Sequence, residues 1–154
     1  MVRMRWMIAA GLLGSLAPPS AALAQEIDEG AVGAACGALE REAMAGRARL
    51  VDVVACANRE AARQLNPQLP MRVDGMTTVE SIAANGPELV YYVRLNVDAG
   101  AIGGEMRRNL ADNTRNNVCG ASDMRQTIGN GGRYRYVWSD RAGRSIHEAL
   151  IDRC

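Results

Sequence analysis

Apolar positions recur every three or four residues through 34–44 and 48–65, the spacing of helices with one buried face. In the second stretch Leu50, Val54, Ala57, Ala61 and Leu65 form the expected stripe, and Asn66-Pro67 ends it. The pattern then changes period. Residues 77–83 and 89–96 alternate around Asn85-Gly86-Pro87, which predicts a hairpin. In its second arm Leu89, Tyr91, Val93 and Leu95 make the better core face, against Val90, Tyr92, Arg94 and Asn96. Helical spacing returns over 99–117 with Ile102, Met106 and Leu110, and Val118 follows two turns on. A short helix over 123–128 is stopped by Gly129-Asn130-Gly131-Gly132. A last hairpin pairs 133–139 with 145–151 across the turn Asp140-Arg141-Ala142-Gly143.

The element order is ααββααββ. Two hairpins with intervening helices are most simply completed as an α+β domain, an antiparallel four-stranded sheet with helices on one face. Residues 25–33 are expected to be a mobile, partly acidic lead-in.

The start of the chain reads differently. Arg3 and Arg5 precede an uncharged apolar run from Met7 to Ala17, Pro18-Pro19-Ser20 breaks it, and Ala22-Leu23-Ala24 offers small residues where a signal peptidase cuts. Residues 1–24 are therefore expected to be a cleavable signal peptide, with 25–154 as a single exported domain. The run is short for a membrane anchor, whose hydrocarbon core takes ~20 residues. No later stretch is long and apolar enough to span a bilayer, so no stable membrane insertion is expected after cleavage.

Cys36, Cys56, Cys119 and Cys154 form an even set in such a protein, which favours two disulfides over free thiols. Of the three possible connectivities, the sequence-local one, Cys36–Cys56 and Cys119–Cys154, is expected. An unbroken helix would hold Cys36 and Cys56 ~30 Å apart, so the helical stretch must turn back at Gly46 to let them meet. A Cys119–Cys154 bridge would pin the last strand to the helical layer, contributing ~3–4 kcal/mol in the chain-entropy model. There is no CxxC spacing and His147 is the only histidine, so neither a metal site nor a redox pair is expected.

Charge narrows the field little. All eighteen basic residues are arginine; removing Arg3 and Arg5 leaves sixteen against seventeen acids. A near-neutral chain gives no ground for nucleic-acid binding. Arg107, Arg108 and Arg115 form a basic flank diluted by Glu105 and Asp112. No catalytic residue and no cofactor motif emerges. Ser145 and His147 would share a strand face with Glu148 turned away, the wrong order for a relay, and His147 is expected to be a polar residue on a solvated strand face. Gly129 to Gly132 lacks the lysine and following helix of a phosphate loop.

Apart from Trp6, every aromatic lies in two strands. Tyr134, Tyr136 and Trp138 alternate with Arg133 and Arg135, and these five residues are the candidate binding surface, with core packing as the competing role for the three rings.

Leu69-Pro70-Met71 with Val73-Asp74, the strand over 91–95, Asn117-Val118-Cys119, Met124-Arg125, Tyr134-Arg135-Tyr136, then Asp140, Gly143 and the stretch ending in Cys154 carry a further signal. Over residues 69–154 the chain resembles a family of small exported bacterial proteins of the quorum-sensing-regulated virulence factor type. That resemblance implies a compact α/β domain and a Cys119–Cys154-like bridge; it brings no reaction and no catalytic residues.

The resulting expectation is a periplasmic or secreted, non-catalytic protein that binds another protein or an envelope component, with an edge strand of the final hairpin available for pairing. The alternative is a hydrolase of an envelope polymer, using His147 with a carboxylate.

Overall fold

The computed structural model describes residues 27–154; the signal peptide expected at 1–24 lies outside them. Helix formation starts earlier than the apolar pattern suggests. Asp28 Oδ1 accepts from the amides of Gly30 (2.9 Å) and Ala31 (3.1 Å), satisfying donors that a helix start leaves open, so α1 spans Glu29–Met44. Most of the expected lead-in is thus helical. Gly46, at φ 73°, turns the chain back, and α2 runs Leu50–Leu65. This hairpin levels Cys36 with Cys56, joined at a Cα separation of 5.9 Å. Leu50 is 49% exposed in the first turn of α2, at the hairpin tip, and does not join the buried stripe. The helix instead buries Val54, Asn58, Ala61, Ala62 and Leu65.

Five strands follow: β1 (Met71–Arg72), β2 (Thr77–Asn85), β3 (Glu88–Leu95), β4 (Arg133–Ser139) and β5 (Ser145–Ile151), adjacent in that order. The pairs β1–β2, β2–β3 and β4–β5 are antiparallel. The pair β3–β4 is parallel, with Glu88 opposite Arg133 and Arg94 opposite Ser139. The expected four-stranded antiparallel sheet is therefore corrected to a five-stranded mixed one.

The physical cause is the connection between the hairpins. A short 3₁₀ turn (Ala99–Ala101) leads to α3 (Gly104–Gly120) and α4 (Ser122–Gly129). The 17 residues of α3 reach ~25 Å. The eight residues of β3 reach ~26 Å. The helix thus carries the chain back to where β3 began, and β4 sets off alongside it. The single helix expected over 99–117 is broken at Gly103-Gly104 into the 3₁₀ turn and α3, and Met106 is 51% exposed.

One sheet face is packed by helices. Ala62, Leu65, Ile82, Leu89, Val118, Tyr134 and Ile151 form one buried apolar cluster; Val93, Leu95, Ile102, Trp138 and Ile146 form a second. The opposite face presents Tyr92 and Leu150, 40% and 36% exposed, among arginines and glutamates.

Side chains engage the backbone at both rims of the sheet. Beyond the two residues of β1, the Asn66 amide takes the place of a strand: its Nδ2 donates to Ile82 O (2.6 Å) and its Oδ1 accepts from Ile82 N (2.9 Å). At the other rim Arg107 of α3 donates to Ile146 O (2.5 Å) and Arg115 to Arg153 O (2.7 Å). Cys119 and Cys154 are bridged at a Cα separation of 5.6 Å, fastening α3 to the segment after β5.

Asp140, fully buried in the β4–β5 turn, joins that turn to the segment after β3. It accepts from the amides of Ala99, Ala142 and Arg144 at 3.1, 2.9 and 2.8 Å, and from the Arg144 guanidinium at 2.7 Å. Burial alone would raise its pKa. The backbone donors and Arg144 outweigh it and hold the carboxyl at about 2.

Candidate functional site

The parallel junction creates a feature that neither hairpin contains by itself. Tyr91 of β3 meets Tyr136 of β4 in register, the rings stacked at 4.8 Å and 6°. Tyr136 continues to Trp138 (5.8 Å, 20°), and Trp138 to His147 of β5 (5.9 Å, 14°). A ladder of four rings thus crosses the helix side of the sheet. Trp138 is 4% exposed, and Tyr134 1%. Tyr91, Tyr136 and His147 are only half-buried. Burial raises the tyrosine pKa values, Tyr91 and Tyr136 strongly and Tyr134 to about 12, so these hydroxyls stay neutral at any physiological pH.

Among the described residues, α2 rests on β2 and β3 while α3 rests on β5. The Tyr91–Tyr136 stack lies in the strip of sheet between them, and both rings border both apolar clusters.

The five candidate surface residues divide between faces. Tyr134 and Trp138 are core, which leaves Tyr136 as the reachable ring. Arg133 and Arg135 project from the opposite face, where acids hold them. Arg135 donates to both Glu88 oxygens (2.9 and 3.1 Å) and to Glu148, and Arg133 lies 3.2 Å from Glu88. The Arg135 hydrogen bond holds the Glu88 carboxyl below its usual range despite partial burial.

His147 is placed on the helix side, against Trp138, rather than on a solvated strand face. A register irregularity beside Ser139 gives β5 an extra residue, and Ile146 and His147 both turn inward. Glu148 lies across the sheet, bound to Arg135, and His147 makes no ion pair among the described residues. The histidine–carboxylate pair required by a hydrolase is therefore not brought together by Glu148. Among the described residues no three His, Cys, Asp or Glu side chains are grouped to hold a metal, and all four cysteines are in disulfides.

Sequence reasoning missed Tyr91 as the partner of Tyr136, because their adjacency depends on the parallel pairing. Alternation along β3 did mark Tyr91 as inward-facing.

These features define an exported α+β domain held by two disulfides, bonds that persist outside the reducing cytoplasm. No helix among the described residues is long and apolar enough to cross a membrane. Three solved structures share the fold. One is a Pseudomonas aeruginosa protein described as secreted (TM-score 0.56, 16% identity, 68% of this chain and 95% of that one). The second is the pilotin EpsS of the Vibrio vulnificus type II secretion system (TM-score 0.54, 19% identity, 66% and 86%). The third is the type II secretion pilotin AspS of Vibrio cholerae (TM-score 0.53, 21% identity, 71% and 94%). At these identities the likeness is one of fold. No protein-family model and no curated protein sequence matches the chain.

Proposed function

We propose that this domain, cleaved from its leader before Gln25, is a periplasmic or secreted protein that works by binding a protein component of the bacterial envelope. The observation that carries this reading is the half-buried Tyr91–Tyr136 stack in the strip between α2 and α3. Rigid aromatic rings that keep part of their surface accessible suit contact with a partner segment, since they supply apolar area at little conformational cost. The pilotins of two Vibrio type II secretion systems have the same fold. Their example favours a partner within an envelope secretion assembly. The resemblance over 69–154 suggests a virulence-related setting.

The test is site-specific photo-crosslinking in producing cells. A photoreactive phenylalanine analogue at position 136 is expected to trap one envelope protein, and the same analogue at position 92, on the opposite face, is not. Equal trapping from both positions, or none from 136, refutes the assignment of the strip.

A further inference from the structure

A second surface lies away from the tyrosine strip, at the end of the sheet where three segments meet. Arg72 of β1 pairs with Thr78 of β2, and Thr78 with Arg94 of β3, so one cross-strand row reads arginine, threonine, arginine. Strands lie ~4.8 Å apart, which sets the two arginine backbones ~10 Å apart with the threonine between them. Arg141, from the β4–β5 turn, completes a depression of about 300 Å³ that no carboxylate lines.

The charges there are unequally compensated. Arg94 is held by Glu80 (2.9 Å) and Arg141 by Asp98 (2.6 Å), neither of which lines the depression. Arg72 has no carboxylate partner among the described residues. Its Nε and Nη2 donate to the main-chain oxygens of Asp74 and Gly75, each at 2.9 Å, which fixes the guanidinium without neutralising it. The Asp74 carboxylate lies near enough to feel the Arg72 charge but forms no ion pair with it, accepting instead from the amides of Met76 (2.7 Å) and Thr77 (2.8 Å). The frame is rigid: Asn96 N donates to Met76 O at 2.8 Å and Arg141 N to Val97 O at 3.0 Å. Two apolar side chains of the same loop stand out beside it, Val73 at 58% and Met76 at 55% exposure.

We propose that this depression binds an acidic peptide segment. One carboxylate sits over Thr78 between Arg72 and Arg94, and a neighbouring apolar side chain rests on Met76 and Val73. Fixed guanidinium groups bind carboxylates with little further ordering, and a hydroxyl between them adds a donor. The exposed loop side chains favour peptide over a bare anion, which would use the arginines alone. The inference rests on the reading of the chain as a binding protein and supplies the chemistry of a second contact.

Side-chain NMR tests it directly. The probes are a blocked hexapeptide alternating leucine and glutamate, its glutamine counterpart, and inorganic phosphate. The glutamate peptide is expected to shift the Nε–H signals of Arg72, Arg94 and Arg141 saturably. Arg72→Ala with Arg94→Ala is expected to weaken it at least tenfold, and Arg141→Gln alone severalfold. Tyr136→Ala should leave this binding unchanged, so failure here and failure of the tyrosine strip are separable. Four results overturn the proposal: no saturable shift, an equal response to the glutamine peptide, phosphate binding as tight as the peptide, or shifts spread equally over Arg133, Arg135 and Arg153.

Discussion

Trp138→Ala tests whether the helix side of β4 is core. The indole is 4% exposed and sits among Val93, Leu95, Ile102 and Ile146. Truncating a buried tryptophan costs about 3–5 kcal/mol, through lost transfer energy and the cavity left behind. Two features favour the upper half of that range. The ring is stacked on Tyr136 and on His147, and an aromatic pair is worth roughly 0.5–1.5 kcal/mol beyond its area. Sheet and α3 also frame the site, so the surroundings have little freedom to collapse. With unfolding entropy of ~2.1 cal/mol/K per residue, a domain of this size unfolds with ~0.27 kcal/mol/K, and a loss of about 4 kcal/mol lowers the melting temperature by ~15 °C. Differential scanning calorimetry under non-reducing conditions measures this, and Trp138→Phe should recover more than half of the loss. His147→Ala removes only one stacking partner and is expected to cost less than about 1.5 kcal/mol. A Trp138→Ala protein melting within ~2 °C of the parent, a loss of about 0.5 kcal/mol, would show that the ring is not core.

Two further outcomes follow from the bridges and the buried carboxylate. Cys119→Ser with Cys154→Ser opens a loop of 35 residues and is expected to cost about 4 kcal/mol in the chain-entropy model, read from urea unfolding of the oxidised parent against the variant; an unchanged midpoint refutes a stabilising role. Asp140 has a folded pKa of about 2, below its ordinary 3.8, so its stabilisation is complete above the ordinary value and is lost as pH falls from about 4 toward 2. Asp140→Asn should flatten that part of the stability–pH curve, and a variant curve parallel to the parent's would place the acid sensitivity elsewhere.

What could be read from the sequence was what is local. Periodicity located the helices and the four long strands, because each buries one face and its pattern repeats within a few residues. The two-residue β1 has no period to detect. The parallel pairing of β3 and β4 is invisible locally, since both hairpins look the same whichever way they are joined; the length of α3 decides it. The helix start at Asp28 was written in a capping side chain rather than in apolar spacing. His147 faces inward in step with Ala149 and Ile151, opposite Trp138. The extra residue in β5 is what lets the apolar Ile146 turn inward beside it, a departure from alternation that hid which face of the strand is core. The candidate surface was read strand by strand, which grouped Tyr136 correctly with its inward neighbours but could not find Tyr91 across the junction. The arginine depression draws on β1, β3 and a turn, and no single window contains it.

The engagement of rim backbone by Asn66 and Arg107 bears on how the protein tolerates crowding. An unguarded edge strand is a template on which a second copy can grow, and the product is a filament rather than a solution of monomers. Here single side chains occupy one position on each rim, Ile82 in β2 and Ile146 in β5. A neighbouring chain that adds a strand at Ile82 or Ile146 must first break hydrogen bonds already made, and it regains no more than it breaks. Polymerisation seeded at these two positions therefore brings no net gain of hydrogen bonds.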